Sequence, residues 1–112
     1  MNPDEKKAIR KNQNTIVDVL SKGPEAYNIL LGELSQAEII SDTTRESLEI
    51  NVRNHEPEVM RSKVRDFLTR LCASMRTHCF GTLCQAMRAE GVEQGDLADL
   101  LEKSVVDIHA GQ

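Results

Sequence analysis

The sequence contains few aromatic residues: two Phe, one Tyr and no Trp, or 3% of its 112 residues. Proteins that bind single-stranded nucleic acids commonly stack the bases on aromatic side chains. We therefore expect no stacking platform for bases or sugars. Because apolar residues still make up 39% of the chain, aliphatic side chains and methionine must form most of the core.

Long apolar runs and glycine-rich loops are also missing. No segment approaches the roughly 18 apolar residues that a membrane span needs, and the residues that follow Met1 are NPDEKK rather than an apolar run. The six glycines are scattered singly, which excludes a glycine-rich phosphate-binding loop. These features predict a soluble, cytoplasmic protein with no membrane partner and no cofactor.

The three cysteines do not form a recognisable framework. Cys72, Cys79 and Cys84 are an odd number at spacings of seven and five, which matches neither paired disulfides nor the CxxC pairs of zinc sites. All three fall on predicted apolar helix faces, where cysteine acts as a small hydrophobic residue with a raised thiol pKa. We expect a structural role and no metal site.

Groups suited to catalysis are not arranged for it. A nucleophilic mechanism needs a base beside the nucleophile, but the three histidines fall in a predicted turn, at a predicted helix start and near the end of the chain: His55, His78 and His109. Acidic pairs near helix ends are more consistent with capping or solvation than with general acid–base catalysis, which needs a cleft. We expect no enzymatic activity and no small-molecule substrate.

Helical periodicity dominates the chain and divides it into six segments. The first helix begins with Asn2 as its cap, Pro3 at its first position and Glu5 placed to close a capping box. The dipeptide Gly23-Pro24 ends this helix and starts the second, and Ser41 or Asp42 caps the third. Because no segment alternates with period two, the sequence predicts an all-α fold whose short connections join antiparallel neighbours in a bundle.

The predicted core residues recur at helical spacing. The fourth helix, which begins at Pro57, has the clearest pattern: Met60, Val64, Phe67, Leu68, Leu71, Cys72 and Met75. The other helices contribute Ile9, Ile16, Val17, Leu20, Tyr27, Leu30, Leu31, Leu34, Leu48, Val52, Cys79, Phe80, Leu83, Cys84, Met87, Leu97, Leu100, Leu101 and Val105. The fifth helix runs from Thr77 to a stop at Gly91. We expect residues 1–106 to form one domain and residues 107–112 to be a frayed tail or the start of a linker.

Charge is segregated along the chain, although the net charge of −4 and the pI near 5.3 argue against a nucleic-acid partner. The second and third helices are acidic, with Glu25, Glu33, Glu38, Asp42, Glu46 and Glu49 against a single base, Arg45. The first and fourth helices are basic, with Lys6, Lys7, Arg10, Lys11, Arg61, Lys63, Arg65, Arg70 and Arg76. Such runs can be ordinary solvated surface. Two oppositely charged faces on one domain also allow head-to-tail pairing that can propagate.

Two stretches of the sequence resemble a known family. The run FGTLCQAMRAEGVEQGDLADLLE, residues 80–102, resembles the fifth and sixth helices of caspase-recruitment domains (CARDs). The run KKAIRKNQNTIVDVL, residues 6–20, resembles their charged first helix, and the resemblance extends over roughly residues 4–104. The first and fourth helices are most similar to those of initiator caspases and their apoptosome adaptor.

The resemblance implies the death fold, a six-helix antiparallel Greek-key bundle, and CARD–CARD assembly in apoptotic or inflammatory signalling without enzymatic activity. In this family a basic patch on helices one and four docks on an acidic patch of helices two and three. By position, the basic residues are Arg10, Lys11, Arg61 and Arg65, and the acidic residues are Glu25, Glu33, Asp42 and Glu46. The implied partners are other CARD proteins, such as an initiator caspase or an adaptor, and copies of this chain in oligomers or filaments.

The sequence departs from the family pattern at two places. Gln13 occupies a position that is often basic in initiator caspases, and SMRTHCFG replaces the usual R-G-x-x-A-F entry to the fifth helix. The subfamily therefore stays open. Two alternatives remain: another death-fold module, of pyrin or death-effector type, and a helical DNA-binding or regulatory module with the fourth helix as its recognition helix. The acidic second and third helices count against DNA binding.

Overall fold

Residues 1–73 and 78–111 are described by a computed structural model, and within them the chain forms seven α-helices and no strand. The helices are α1 (Pro3–Lys11), α2 (Gln13–Ser21), α3 (Pro24–Gln36), α4 (Asp42–Leu48), α5 (Pro57–Ala73), α6 (Cys79–Met87) and α7 (Gly95–Ala110). The all-α prediction is confirmed over these residues. Three of the predicted positions lie outside the described residues: Met75, Arg76 and the helix start at Thr77.

The longest helix, α5, packs against α1, α2 and α4. The third helix packs against α2, α4 and α6, and α7 covers α1 and α6. The helices begin where the sequence indicates. Asn2 and Glu5 form the predicted capping box, with N···O distances of 2.8 and 2.9 Å, and the Ser41 hydroxyl caps α4 by accepting from the Thr44 amide at 3.1 Å. Local capping chemistry therefore sets these boundaries.

Most predicted core residues are buried, but four differ. Val52 is half-buried because α4 already ends at Leu48 and the chain continues in an extended conformation. Cys72 is half-buried at the edge of α5, whereas Cys79 and Cys84 are buried. On α7 the buried stripe is formed by Leu97, Ala98, Leu101 and Ser104, which leaves Leu100 exposed and Val105 half-buried at its two edges.

The predicted first helix is interrupted at Asn12, which separates α1 from α2. Asn12 has φ −102° and ψ 11°. Its side-chain amide donates to the Ala8 carbonyl at 2.8 Å and to the Ser104 hydroxyl of α7 at 2.9 Å. Because asparagine bonds readily to nearby backbone, it competes with regular helix geometry. The single predicted helix is therefore two helices joined by a kink, and the bundle has seven described helices rather than six.

The C-terminal ends of the fifth and sixth predicted helices also differ from expectation. The fifth, α6, ends at Met87, and Gly91 lies in the following turn with φ +89°, a conformation that glycine adopts without strain. The last helix, α7, continues to Ala110, although we expected a frayed tail or linker from residue 107. Packing of α7 on α1 supports these extra residues, and His109 Nδ1 lies 3.3 Å from the Asp4 carboxylate.

Burial of Tyr27 and Cys84 predicts a loss of stability in alkali. Burial, assisted by the Asp66 charge, raises the pKa of the Tyr27 hydroxyl above its ordinary value of 10.0. Burial likewise raises the pKa of Cys84 from 9.0 to about 12. The folded chain therefore keeps protons that the unfolded chain releases, so this contribution is fully present below pH ~9 and is lost as the pH rises above it.

Urea denaturation at a series of pH values tests this expectation. The free energy of unfolding should fall from pH ~9 upward, and Cys84→Val should remove the part of the fall that begins near pH ~9. A free energy of unfolding that stays constant across the alkaline range would contradict it.

Candidate functional site

Four basic side chains lie on the neighbouring helices α1 and α5. Lys6 and Arg10 of α1 border the same pocket as Thr69 of α5, and the Thr69 hydroxyl donates to the Arg65 carbonyl one turn earlier at 3.0 Å. Arg10, Lys11 and Arg65 are exposed. Among the described residues none of these side chains has an ion-pair partner. We call Lys6, Arg10, Lys11 and Arg65 the basic face.

Arg61 was predicted to belong to this face, but its guanidinium forms an ion pair within the molecule. Its Nη1 lies 2.6 Å from the Asp18 carboxylate, so the pair connects α5 to α2. Both side chains are partly exposed, at 36% and 54%. The carboxylate balances much of the guanidinium charge, and Arg61 therefore offers less to a partner than Arg65, one turn further along α5.

Lys63 has a structural role that the sequence analysis missed. Its ammonium donates to the Glu49 carbonyl at 2.8 Å and to the Ser47 carbonyl at 3.3 Å, at the C-terminal end of α4. A cation at this end of a helix satisfies free carbonyls and interacts favourably with the helix dipole. Lys63 thus links α4 to α5, and its ammonium group is not available to a partner.

The acidic residues lie along an antiparallel pair formed by α3 and α4. At one end the Ser35 hydroxyl donates to the Asp42 carboxylate at 2.7 Å. At the other end the Tyr27 hydroxyl donates to the Leu48 carbonyl at 2.9 Å. These contacts hold the two helices side by side, so the predicted acidic residues share one helix pair.

Individual acidic residues differ in position and exposure. Glu25 is exposed in the first turn of α3, and Glu33 is half-buried about 12 Å further along the helix axis. Asp42 and Glu46 are exposed one turn apart on α4. We call Glu25, Glu33, Glu38, Asp42 and Glu46 the acidic face. The structure therefore groups Asp42 with Glu46 and leaves Glu25 at the far end of α3.

Glu38 was not selected from the sequence as a site residue, although it lies in a cavity of about 360 Å³ beside Ser35 and Asp42. It has φ +62° and ends α3 in a Schellman motif, in which Ile39 N donates to Leu34 O at 2.9 Å and Glu38 N to Ser35 O at 3.0 Å. Glycine is usual at this position. Glutamate costs backbone energy there, and it adds an exposed carboxylate to the acidic face.

One base lies among these acids. Arg45 Nε donates to Glu49 Oε1 at 2.8 Å. This hydrogen bond is the main cause that raises the pKa of Arg45, and the carboxylates of Asp42 and Glu46 add to it. Arg45 is therefore held by Glu49 and acts on Glu46 only as a nearby charge, and Glu46 has no ion-pair partner among the described residues.

No group of three or more histidine, cysteine, aspartate or glutamate side chains suited to holding a metal ion occurs in the part of the chain that the structure describes. Among the same residues, no helix has the length and apolar character required to cross a bilayer. No family model, curated protein or solved structure matches the chain. The exposure, pairing and placement of its charged residues are therefore the features that indicate a function.

Proposed function

We propose that this chain is a protein-interaction module that assembles head to tail, its basic face on α1 and α5 docking on the acidic face of α3 and α4 of another copy or a related domain. One observation carries the proposal. Arg10 and Lys11 of α1, Arg65 of α5 and Glu46 of α4 are exposed, and none of them has an ion-pair partner among the described residues. Charges left free in this way are available to a partner.

Two different complementary faces on one molecule have a geometric consequence. Each contact uses the basic face of one copy and leaves its acidic face open for the next. Such a heterologous contact continues into a filament unless its rotation closes a ring. Complementary charge also speeds encounter and disfavours wrong partners. These properties suit a module that forms oligomers in response to a rise in local concentration.

The resemblance to CARDs supports a more specific assignment. It covers most of the chain, and the order of its charged helices matches the family's docking pattern of helices one and four against helices two and three. On this basis the module adopts the Greek-key death fold, with α1 and α2 together corresponding to the family's first helix. Its partners would be an initiator caspase or adaptor CARD in apoptotic or inflammatory signalling.

Charge reversal tests the proposed docking. Arg65→Glu should weaken self-association, measured by sedimentation velocity, while circular dichroism stays unchanged because an exposed charge contributes little to stability. Lys103→Glu is the matched control, since Lys103 is also exposed but lies on α7 and belongs to neither face. Rising salt should weaken association of the unaltered chain. Equal losses for the two variants, or no loss for Arg65→Glu, would refute charged-face docking.

A further inference from the structure

A pocket of about 370 Å³ lies between α1 and α5. Its volume falls within the range of small-molecule sites. Lys6, Arg10, Gln13 and Thr69 give it a polar, cationic rim, to which the exposed Ala73 also belongs. Ile9 and Leu68, which are buried, and Cys72, which is half-buried, form its apolar floor. No carboxylate among the described residues lines it. The pocket therefore combines positive charge at its mouth with an apolar interior.

The two cations at the rim, Lys6 and Arg10, are close enough to contact the same ligand group. Lys6 and Arg10 are four residues apart and lie one above the other on α1. Both side chains line the same pocket as Cys72. Burial raises the pKa of the Cys72 thiol, and the charges of Arg10, Lys6 and the amino terminus oppose that rise. Neither has an ion-pair partner among the described residues. A group that brings one negative charge to the rim would be stabilised by both.

We propose that this pocket binds a small amphiphilic carboxylate. Its carboxylate accepts hydrogen bonds from Arg10 and Lys6, and its aliphatic body covers Ile9 and Leu68. Arginine is well suited to this contact because its guanidinium can engage both carboxylate oxygens. The apolar floor distinguishes such a ligand from an inorganic anion, which would leave that surface in water. The pocket lies within one copy, but Lys6 and Arg10 also belong to the basic face, so a bound carboxylate would compete with the proposed docking.

Cys72 provides a direct measure of occupancy. It is half-buried on the pocket floor, whereas Cys79 and Cys84 are buried at 0% and 3% exposure. Iodoacetamide, a neutral reagent, should therefore alkylate Cys72 first, as peptide mass spectrometry would show. Octanoate should slow this reaction severalfold, at protein concentrations where sedimentation shows a monomer. Octanol and acetate, which each lack one half of the ligand, should protect much less.

Variants at the rim separate recognition from nonspecific protection. The measured quantity is the ratio of Cys72 alkylation rates with and without octanoate, since the rim charges also affect the thiol itself. Lys6→Gln and Arg10→Gln should each raise the octanoate concentration for half-protection about tenfold, the factor expected for one charge-assisted hydrogen bond. Lys103→Gln should leave it unchanged. Equal protection by octanol, absence of protection by octanoate, or a Lys103→Gln effect equal to that of Arg10→Gln would overturn the proposal.

Discussion

Replacement of Phe67 by alanine is expected to lower the free energy of unfolding by about 3–5 kcal/mol. The Phe67 ring is fully buried on α5 and meets Tyr27 of α3 edge to face, with ring centroids 6.0 Å apart and planes at 82°. The substitution leaves a cavity at the centre of the bundle and removes this ring contact. Since small domains are stable by only about 5–15 kcal/mol, much of the folded population would be lost at moderate temperature. Urea denaturation followed by circular dichroism measures the change.

Val106→Ala is the matched control for this experiment. Val106 is an apolar residue on α7 that is 66% exposed, so its truncation should change the free energy of unfolding by no more than about 0.5 kcal/mol. If the two variants unfolded at similar urea concentrations, Phe67 would not occupy the core position described above.

A mixture of two charge-reversed chains should associate more strongly than either chain alone. Arg65→Glu damages the basic face and leaves the acidic face intact, and Glu46→Arg does the opposite. Each variant placed against its own copy opposes like charges, at a cost of about 2 kcal/mol or more, or at least about thirtyfold in affinity. In the mixture, the intact acidic face of one variant meets the intact basic face of the other, and the two reversed side chains are also opposite in charge. Light scattering should therefore detect an alternating assembly in the mixture and much weaker association for either variant alone.

The single variants distinguish docking from general electrostatic attraction. General attraction depends on net charge, which Glu46→Arg brings closer to zero than the −4 of the unaltered chain. General effects would therefore not weaken association of Glu46→Arg, whereas docking of specific faces predicts that this variant loses it. Filaments formed by either variant alone, or a mixture that remains monomeric, would contradict head-to-tail docking through Arg65 and Glu46.

Local features of this fold could be predicted from the sequence because their causes lie within a few residues of each other. The Asn2–Glu5 capping box, the start of α3 at Pro24 and the apolar stripe of α5 each depend on spacings of three to seven residues. The charged character of each helix follows in the same way. Composition and helical periodicity were therefore sufficient for the all-α class, most of the core and the two charged helix pairs.

Features that depend on contacts between distant residues could not be predicted in this way. The Asn12 side chain at the kink also donates to Ser104 on α7, and the charge of Arg61 is balanced by Asp18 on another helix. In the sequence, Lys63 cannot be distinguished from any other basic surface residue, because its contact with the end of α4 depends on the fold. For the same reason the sequence could not indicate which cations on α5 remain available to a partner.

The hydrogen bond between Asn12 and Ser104 also has a consequence for the order of events during synthesis. It joins residues 92 positions apart, and α7 packs along α1. A ribosome releases α1 first and α7 last, and domains generally fold as units once their sequence has emerged. The turn between α1 and α2 therefore gains its contact with α7 only after α7 has emerged. If the chain docks through the basic face as proposed, this late contact would delay docking between nascent chains until translation of the domain is complete.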